Sequence, residues 1–298
     1  MAGEAVGEAR LRIAVQKSGR LSDGSFELLK RCGLTISRAR DRLYARAQEM
    51  PIDILLVRDD DIPAFVAEGA CDLGIVGENV FEEDRLADPD SELEIAMRLG
   101  FARCRLMLAA PKEFDGDETA LAGRRVATSY PGLTRAFLER GGVRAEMVAM
   151  GGAVEVAPRL KIADAICDIV STGATLDANG LKPVATVFES EAILMRRKEA
   201  MSPEKASVYG NLIMRIDGVI ASRDAKYVMM NAPRSAIKAI TEILPGVEAP
   251  TILELAGQSD RVALHAVCRE NVFWSTLEAL KKEGASAILV VPIEKIMP

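Results

Sequence analysis

The sequence is poorest in histidine, with His265 alone among 298 residues. A Ser-His or Cys-His nucleophile pair would have to draw on that one side chain, and a zinc site of the HExxH kind needs two and is excluded. No glycine precedes a lysine, so the phosphate-binding G-x-x-x-x-G-K is absent, and no G-x-G occurs, which removes the dinucleotide fingerprint. Long apolar runs are missing too. The longest uncharged stretches, such as GASAILVVPI at 284–293, fall well short of the roughly 20 residues a membrane-spanning helix needs. Basic excess is also lacking: 38 Lys and Arg against 44 Asp and Glu give a net charge of −6, which argues against a broad nucleic-acid surface and leaves local basic clusters for small anions. The five cysteines, Cys32, Cys71, Cys104, Cys167 and Cys268, are odd in number, scattered and never C-x-x-C, a pattern of reduced thiols. The opening MAGEAVGEAR has two glutamates and no apolar core, so the chain reads as cytosolic, with no secretory leader.

What is present is an ordinary globular composition, 49% hydrophobic and 28% charged, long enough for about two domains at roughly 150 residues each. LRIAV (11–15) reads as a strand, followed by the loop QKSGRLS and a helix that Ser22 can cap and Gly33 ends. The pattern repeats in IDILLV (52–57), a helix with Asp60 or Asp61 as N-cap and Pro63 in its first turn, and DLGIVG (72–77). Strands alternating with helices predict a mostly parallel, helix-covered sheet. A second run of such units starts near 103 with CRLMLAAP. It continues through RRVATSYPGLTRAFLERGG, AEMVAM, a short helix over 153–159 and ADAICDIV (163–170). Strands return over 183–197, and an amphipathic helix is predicted over 203–222. From Lys226 the order is βαββαβ, the ferredoxin-like order, with one helix ended by Pro245-Gly246. His265 falls in the alternating strand RVALHAVC, where a structural or partner-facing role is expected.

The most informative segment is DAICDIVSTGAT (164–175), in which an apolar strand delivers Asp168 and then a turn of Ser171, Thr172, Gly173, Ala174 and Thr175. Gly173 permits close approach of a phosphate, the turn's amides can form an anion nest, and Asp168 can accept from vicinal sugar hydroxyls. The plainer reading is a strand-to-helix turn in which Ser171 or Thr172 caps. D-x-x-x-T-G-x-T resembles the diphosphosugar loop of phosphoribosyltransferases, except that those usually carry two adjacent acids and Asp168 follows Cys167. Lys17 and Arg20, in the loop after the first strand, read either as a solvated basic loop or as anion contacts. Arg58 closes another strand beside Asp59, Asp60 and Asp61, acids that fit helix capping or a hydrated Mg²⁺. DLGIVGEN (72–79) fits a tight turn or a cleft floor, and Glu155 sits in the first turn after Gly151 and Gly152.

Taken together, QKSGRLSDGSFELLKRCG, MPIDILLVRDDDIP, DLGIVGENV, ATSYPGLTR, EVAPRLKIADAICDIVSTGATL and PTILELAG resemble the long-form ATP phosphoribosyltransferases, from Leu11 to the end. The resemblance implies an α/β fold: a two-lobed catalytic part of the type II periplasmic-binding-protein kind, plus a C-terminal ferredoxin-like regulatory domain. The implied boundaries are 9–101 plus 184–222 for lobe I, 102–183 for lobe II and 223–298 for regulation. The implied reaction joins N1 of ATP to C1 of phosphoribosyl pyrophosphate (PRPP) with loss of pyrophosphate, using Mg²⁺ brought by pyrophosphate with few protein ligands. Glu155, Asp168 and Ser171 to Thr175 would hold the phosphoribosyl group. Lys17, Arg20 and Arg42 would meet anionic groups, Arg58 the departing pyrophosphate, and Asp72, Gly77 and Glu78 ATP. Histidine would bind as inhibitor at Asn231, Val247, Ala249, Thr251, Val267 and Ala287, with Asn231 standing where some relatives carry an acid. Dimers passing to a compact hexamer are implied, with no separate regulatory subunit. The rival readings are a solute- or effector-binding module, for which no leader or basic helix-turn-helix is found, and an inactive regulatory subunit.

Overall fold

The computed structural model describes residues 10–36, 43–170, 174–244 and 249–296, and only the backbone of 174 and 269–275. The chain divides into two compact units, Met1–Gly210 and Asn211–Pro298.

The first unit contains two sheets. The elements of the first run in order β1 (Leu11–Gln16), α1 (Arg20–Arg31), β2 (Tyr44–Arg46), β3 (Ile52–Val57), α2 (Ile62–Ala67), β4 (Leu73–Gly77), α3 (Glu78–Ala87) and β5 (Leu93–Arg98). The chain then crosses to β6 (Cys104–Pro111), β7 (Arg125–Thr128), α4 (Pro131–Arg140), β8 (Glu146–Ala149), β9 (Ala165–Val170), α5 (Ala174–Ala178) and β10 (Leu181–Ser190). It returns through β11 (Ala192–Arg197) to α6 (Pro203–Ala221). The first sheet has the order β2-β3-β1-β4-β11-β5 and the second β10-β6-β9-β7-β8. β1 is parallel to β3 and β4, with Ile13 level with Ile54 and Leu73, and β7 is parallel to β8 and β9. Leu11, Ile13, Ala14 and Val15 are all buried, as a strand covered on both faces requires. Two passages, β5 to β6 and β10 to β11, connect the lobes, which is the two-lobed, type II periplasmic-binding-protein-like architecture.

Several local expectations change. β10 pairs antiparallel with β6, so residues 184–190 belong to the second lobe and the return to the first falls at Glu191. Hydrophobic alternation marks the strand but cannot say which sheet takes it. Ser22 lies buried inside α1, and the N-cap position is Gly19 at φ 100. Gly33 does sit just past the helix at φ 79, the left-handed stop that glycine permits. The helix expected over 153–159 shrinks to a 3₁₀ turn, Val154–Val156. Leu93–Arg98, which no strong hydrophobic pattern marks, is β5, an edge strand antiparallel to β11.

The second unit holds the C-terminal part of α6, then β12 (Ala225–Pro233), α7 (Ile237–Ile243), β13 (Thr251–Leu255), β14 (Gln258–Arg269), α8 (Glu270–Lys282) and β15 (Ser286–Pro292). Its sheet order, β13-β14-β12-β15, is antiparallel throughout and gives the ferredoxin-like arrangement. Val228, Met230, Val262, Leu264 and Ala266 form its core with Ile240 and Leu280 of the helices. Pro245 and Gly246 lie outside the described residues.

Candidate active site

Between the two lobes of the first unit is a cavity of about 340 Å³. Gln16, Arg20, Asp59, Gly77 and Asn79 face it from the first lobe and Tyr130, Glu155, Asp168 and Thr175 from the second, with Arg103 and Cys104 at the crossover. The first-lobe residues are contributed by the carboxyl ends of β1, β3 and β4 and by the turns and helix starts just beyond those ends, where open α/β sheets place ligands.

Asp168 is half-buried on β9, level with Met107 of β6, and its Oδ1 accepts from the amide of Ile169 at 2.7 Å. Burial pushes its carboxyl above the ordinary aspartate range, and the nearby Glu155 charge adds to the rise. Cys167, one residue earlier, points to the opposite face of the strand by the two-residue period. It is fully buried in the second lobe's core, with its thiol pushed up to about 12 by desolvation. A second acid at 167 would be an unpaired core charge, which fits the single acid, Asp168, at this end of β9. Glu155 is in the 3₁₀ turn after Ala153, whose φ of 52 turns the chain back toward the cleft.

On the first lobe Arg20 opens α1 and Asp59 opens a 3₁₀ turn, Asp59–Asp61. Lys17 and Arg58 stand exposed one residue beyond the paired strand ends Gln16 and Val57, with the Lys17 amide bonded to the Val57 carbonyl at 2.8 Å. Asp61 occupies the N-cap position of α2, with Pro63 in the first turn, but makes no side-chain cap bond; its contribution is charge at a helix start. Burial raises the Asp60 carboxyl, and Asp59 and Asp61 push it the same way. Gly77 must lack a Cβ, which would stand 2.5 Å from Asn79 Oδ1.

Two of the expected ATP contacts do not line this cavity. Asp72 lies at the amino end of β4, away from the cleft, where it accepts from the Arg12 amide at 2.8 Å and from Lys205 Nζ of α6 at 2.7 Å. Glu78 is buried and held by the guanidinium of Arg98 on β5, through Nη1 and through Nη2 at 2.5 Å. Both carboxylates are engaged in ion pairs, and Glu78 also lines a second cavity of about 480 Å³ that shares Arg103, Cys104 and Val170 with the first. Arg42, Ser171, Thr172, Gly173 and Val247 lie outside the described residues, and Ala174 is described in backbone only, at the start of α5.

Tyr130 was legible only as part of a motif. Its ring packs against the cores of both lobes, and burial raises its phenol well above the usual range, with Asp59, Asp60 and Asp168 adding to the rise. Asn79 is fixed by Ser190, whose hydroxyl donates to Asn79 Oδ1 at 2.7 Å from 111 residues away, a distance no local pattern can encode.

In the second unit, odd-numbered residues of β12 and β14 face away from the helices. Asn231 is level with Ala263, Val267 with Tyr227, and Thr251 of β13 with His265. The Tyr227 hydroxyl and His265 Nδ1 are 2.9 Å apart on that face. Ala249 is exposed just before β13, and Ala287 has φ 47 in β15. Leu253, Leu289 and Val291 stay exposed.

The cleft sets Glu155 and Asp168 on one wall against Arg20 and Asp59 on the other, and Lys17 and Arg58 stand at the strand ends of the first lobe. The pattern of the ATP phosphoribosyltransferase family matches residues 58–218, and that of the "HisG, C-terminal domain" matches 222–295. An ATP phosphoribosyltransferase of Maricaulis maris (strain MCS10) is 58% identical over 291 residues, covering 97% of this chain and 99% of that one. A chain of the ATP phosphoribosyl transferase (HisG:HisZ) complex from Thermotoga maritima superposes with a TM-score of 0.58 at 25% identity, over 70% of this chain and 96% of that one. The chain belongs to the ATP phosphoribosyltransferase family and is a pentosyltransferase of histidine biosynthesis. Among the described residues no helix is long and apolar enough to cross a membrane.

Proposed function

We propose that the interlobe cleft joins N1 of ATP to C1 of PRPP, and that the second unit binds histidine and restrains the reaction. The observation that carries the first half is the meeting of Asp168 and Glu155 in a cavity faced by Arg20 and Asp59. In the substitution the C1–N1 bond forms as the bond from C1 to the pyrophosphate oxygen breaks. Positive charge develops on the ribose and negative charge on the leaving group, so the demand on the protein is positioning and electrostatics. The adenine N1 brings its own lone pair, and a histidine base is unnecessary in a chain whose only histidine lies in the second unit. Asp168, ionised, accepts from the ribose hydroxyls and opposes the ribose charge. Glu155 orders the same wall, and Ser171 to Thr175 cradle the 5′-phosphate through amides and hydroxyls. Arg58 and Lys17 meet the departing pyrophosphate, with Arg20 inside the cleft, and Arg42 is assigned to the nucleotide or pyrophosphate by resemblance alone.

No three acid, cysteine or histidine side chains converge as a metal site among the described residues. Mg²⁺ would then arrive on the pyrophosphate and be held chiefly by phosphate oxygens and water, with few ligands from the protein. When bound, Mg²⁺ neutralises the leaving pyrophosphate.

The histidine reading assigns the effector to Asn231, Val247, Ala249, Thr251, Val267 and Ala287, of which Asn231, Thr251 and Val267 lie on the helix-free face of the second unit's sheet. The exposed Leu253, Leu289 and Val291 favour burial of that face between copies, in keeping with dimers and a hexamer. Because the chain carries this unit itself, it works without a separate regulatory partner, in the cytoplasm. The test is pyrophosphate release by the purified chain with ATP, PRPP and Mg²⁺. Turnover that histidine suppresses supports both halves, and turnover indifferent to histidine removes the second. A folded chain that does not turn over removes the first, and activity appearing only with another protein removes its independence.

A further inference from the structure

The start of α4 carries no cap of its own, since its N-cap residue is Tyr130 and no side-chain bond is made there. The amides of Gly132 and Leu133 are satisfied from the other lobe. They donate to the two carboxylate oxygens of Glu83 on α3, at 2.6 and 2.8 Å, from 49 and 50 residues away. Gly132 admits this approach because it lacks a side chain: a Cβ there would stand 3.0 Å from Glu83 Oε1 and 3.2 Å from its Cδ. The two helices also flank the cavity. α3 starts beside Gly77 and Asn79, and α4 follows Tyr130, all three of which face it, whereas Glu83 does not. An anion at a helix N-terminus, bonded to two free amides, is the charge-assisted case in which a cap is strongest.

We propose that Glu83 is a positioning residue for the transfer reaction: by capping α4 across the lobes it holds the cleft at the width that grips both substrates. The proposal rests on reading that cleft as the site of transfer. The lobes are joined by two strand passages, so their separation is an equilibrium that interlobe bonds bias. The apparent Kd of each substrate is its intrinsic value divided by the fraction of chains in the gripping state, so affinity falls in proportion to that fraction. Loss of a charge-assisted bond shifts such an equilibrium about tenfold.

The test uses the full chain with Glu83→Ala and the isosteric Glu83→Gln, which keeps one neutral acceptor. Glu83→Ala should raise KM for ATP and for PRPP together by about tenfold, and Glu83→Gln by about threefold, with kcat held within about twofold. Amide exchange at Gly132 and Leu133 should quicken in the same order. A shift in KM for one substrate alone, a fall in kcat alone, or unchanged KM in both variants overturns the proposal. Lower melting temperature with unchanged KM identifies a purely structural cap and overturns it equally. Exchange reads the latch without turnover, so unchanged protection at Gly132 and Leu133 sinks the latch even where transfer is confirmed. A wild-type chain that releases no pyrophosphate instead sinks the transfer reading, whatever the exchange shows.

Discussion

Glu78 and Arg98 separate a binding role from a structural one, and the structure gives the asymmetry to look for. The Glu78 side chain is 8% exposed and that of Arg98 is 56% exposed, and they meet in a two-pronged contact at the crossover. Arg98 also lies 4.0 Å from Glu191, which joins β10 to β11. Replacing Glu78 by Gln leaves a neutral acceptor facing a guanidinium that water already reaches, so the cost is about 1 kcal/mol. Replacing Arg98 by Ala strands a buried carboxylate. Removing one partner of a fully buried pair costs about 3–5 kcal/mol, and the start of α3 returns part of that to Glu78, leaving about 3 kcal/mol. At about 2–4 °C per kcal/mol for a unit of this size, Arg98→Ala should melt about 6–12 °C lower and Glu78→Gln about 2–4 °C lower. Differential scanning fluorimetry at neutral pH, paired with KM for ATP, measures both. If Glu78 contacts ATP, Glu78→Gln should raise KM with little change in melting. That outcome, or equal melting shifts for the two variants, refutes the structural assignment.

Asp168→Asn should lower kcat/KM for PRPP by about 10- to 100-fold, the loss of a charge-assisted contact, with an unchanged circular dichroism spectrum; near-normal turnover would remove Asp168 from the site. Since burial and Glu155 raise the Asp168 carboxyl, and its ionised form is the one that works, activity should fall on acidification at a pH above the ordinary aspartate range. The same rise opposes stability, fully relieved below the unfolded-state aspartate pKa and growing as pH climbs through the folded-state one, so Asp168→Asn should melt higher than wild type at neutral pH. An acid limb that survives in Asp168→Asn contradicts this. Gly74→Ala should destabilise the first lobe by about 1–3 kcal/mol, because a Cβ would meet Ile62 Cγ2 at 2.6 Å and Met195 Cγ at 3.1 Å; denaturant titration reads it. Thr251→Val should weaken histidine inhibition while leaving the uninhibited rate unchanged, which a histidine titration of pyrophosphate release will show.

The elements were legible wherever local chemistry is strong. β1, β3, β4 and β9 announce themselves as apolar runs, Gly33 as a helix stop, and the βαββαβ order of the second unit by alternation alone. Sheet membership was harder, because β10 alternates as well in one lobe as it would in the other. Asp168, Glu155, Arg20 and Gly77 line the interlobe cavity and stand out in the sequence because each lies at or after a strand next to a turn. Tyr130, Asn79 and Glu83 matter through partners 49 to 111 residues distant, and nothing within their own segments encodes those partners.

Asp72 lies away from the interlobe cavity for a reason that generalises. Asp72 and Gly77 sit five residues apart in DLGIVGEN, and a motif treats them as neighbours. They are the two ends of one strand, and at about 3.3 Å per residue roughly 16 Å separates them. In an open α/β sheet ligands collect at carboxyl ends, so the residue after a strand belongs to the cleft and the residue before it to the opposite edge. Asp72 accordingly ties β1 and α6 together through Arg12 and Lys205, while Gly77 and Asn79 face the interlobe cavity. Polarity along the strand, rather than proximity in the motif, decides which acid can do chemistry. By the same rule Asp59, after β3, and Asp168, at the carboxyl end of β9, are the acids that meet across the cleft.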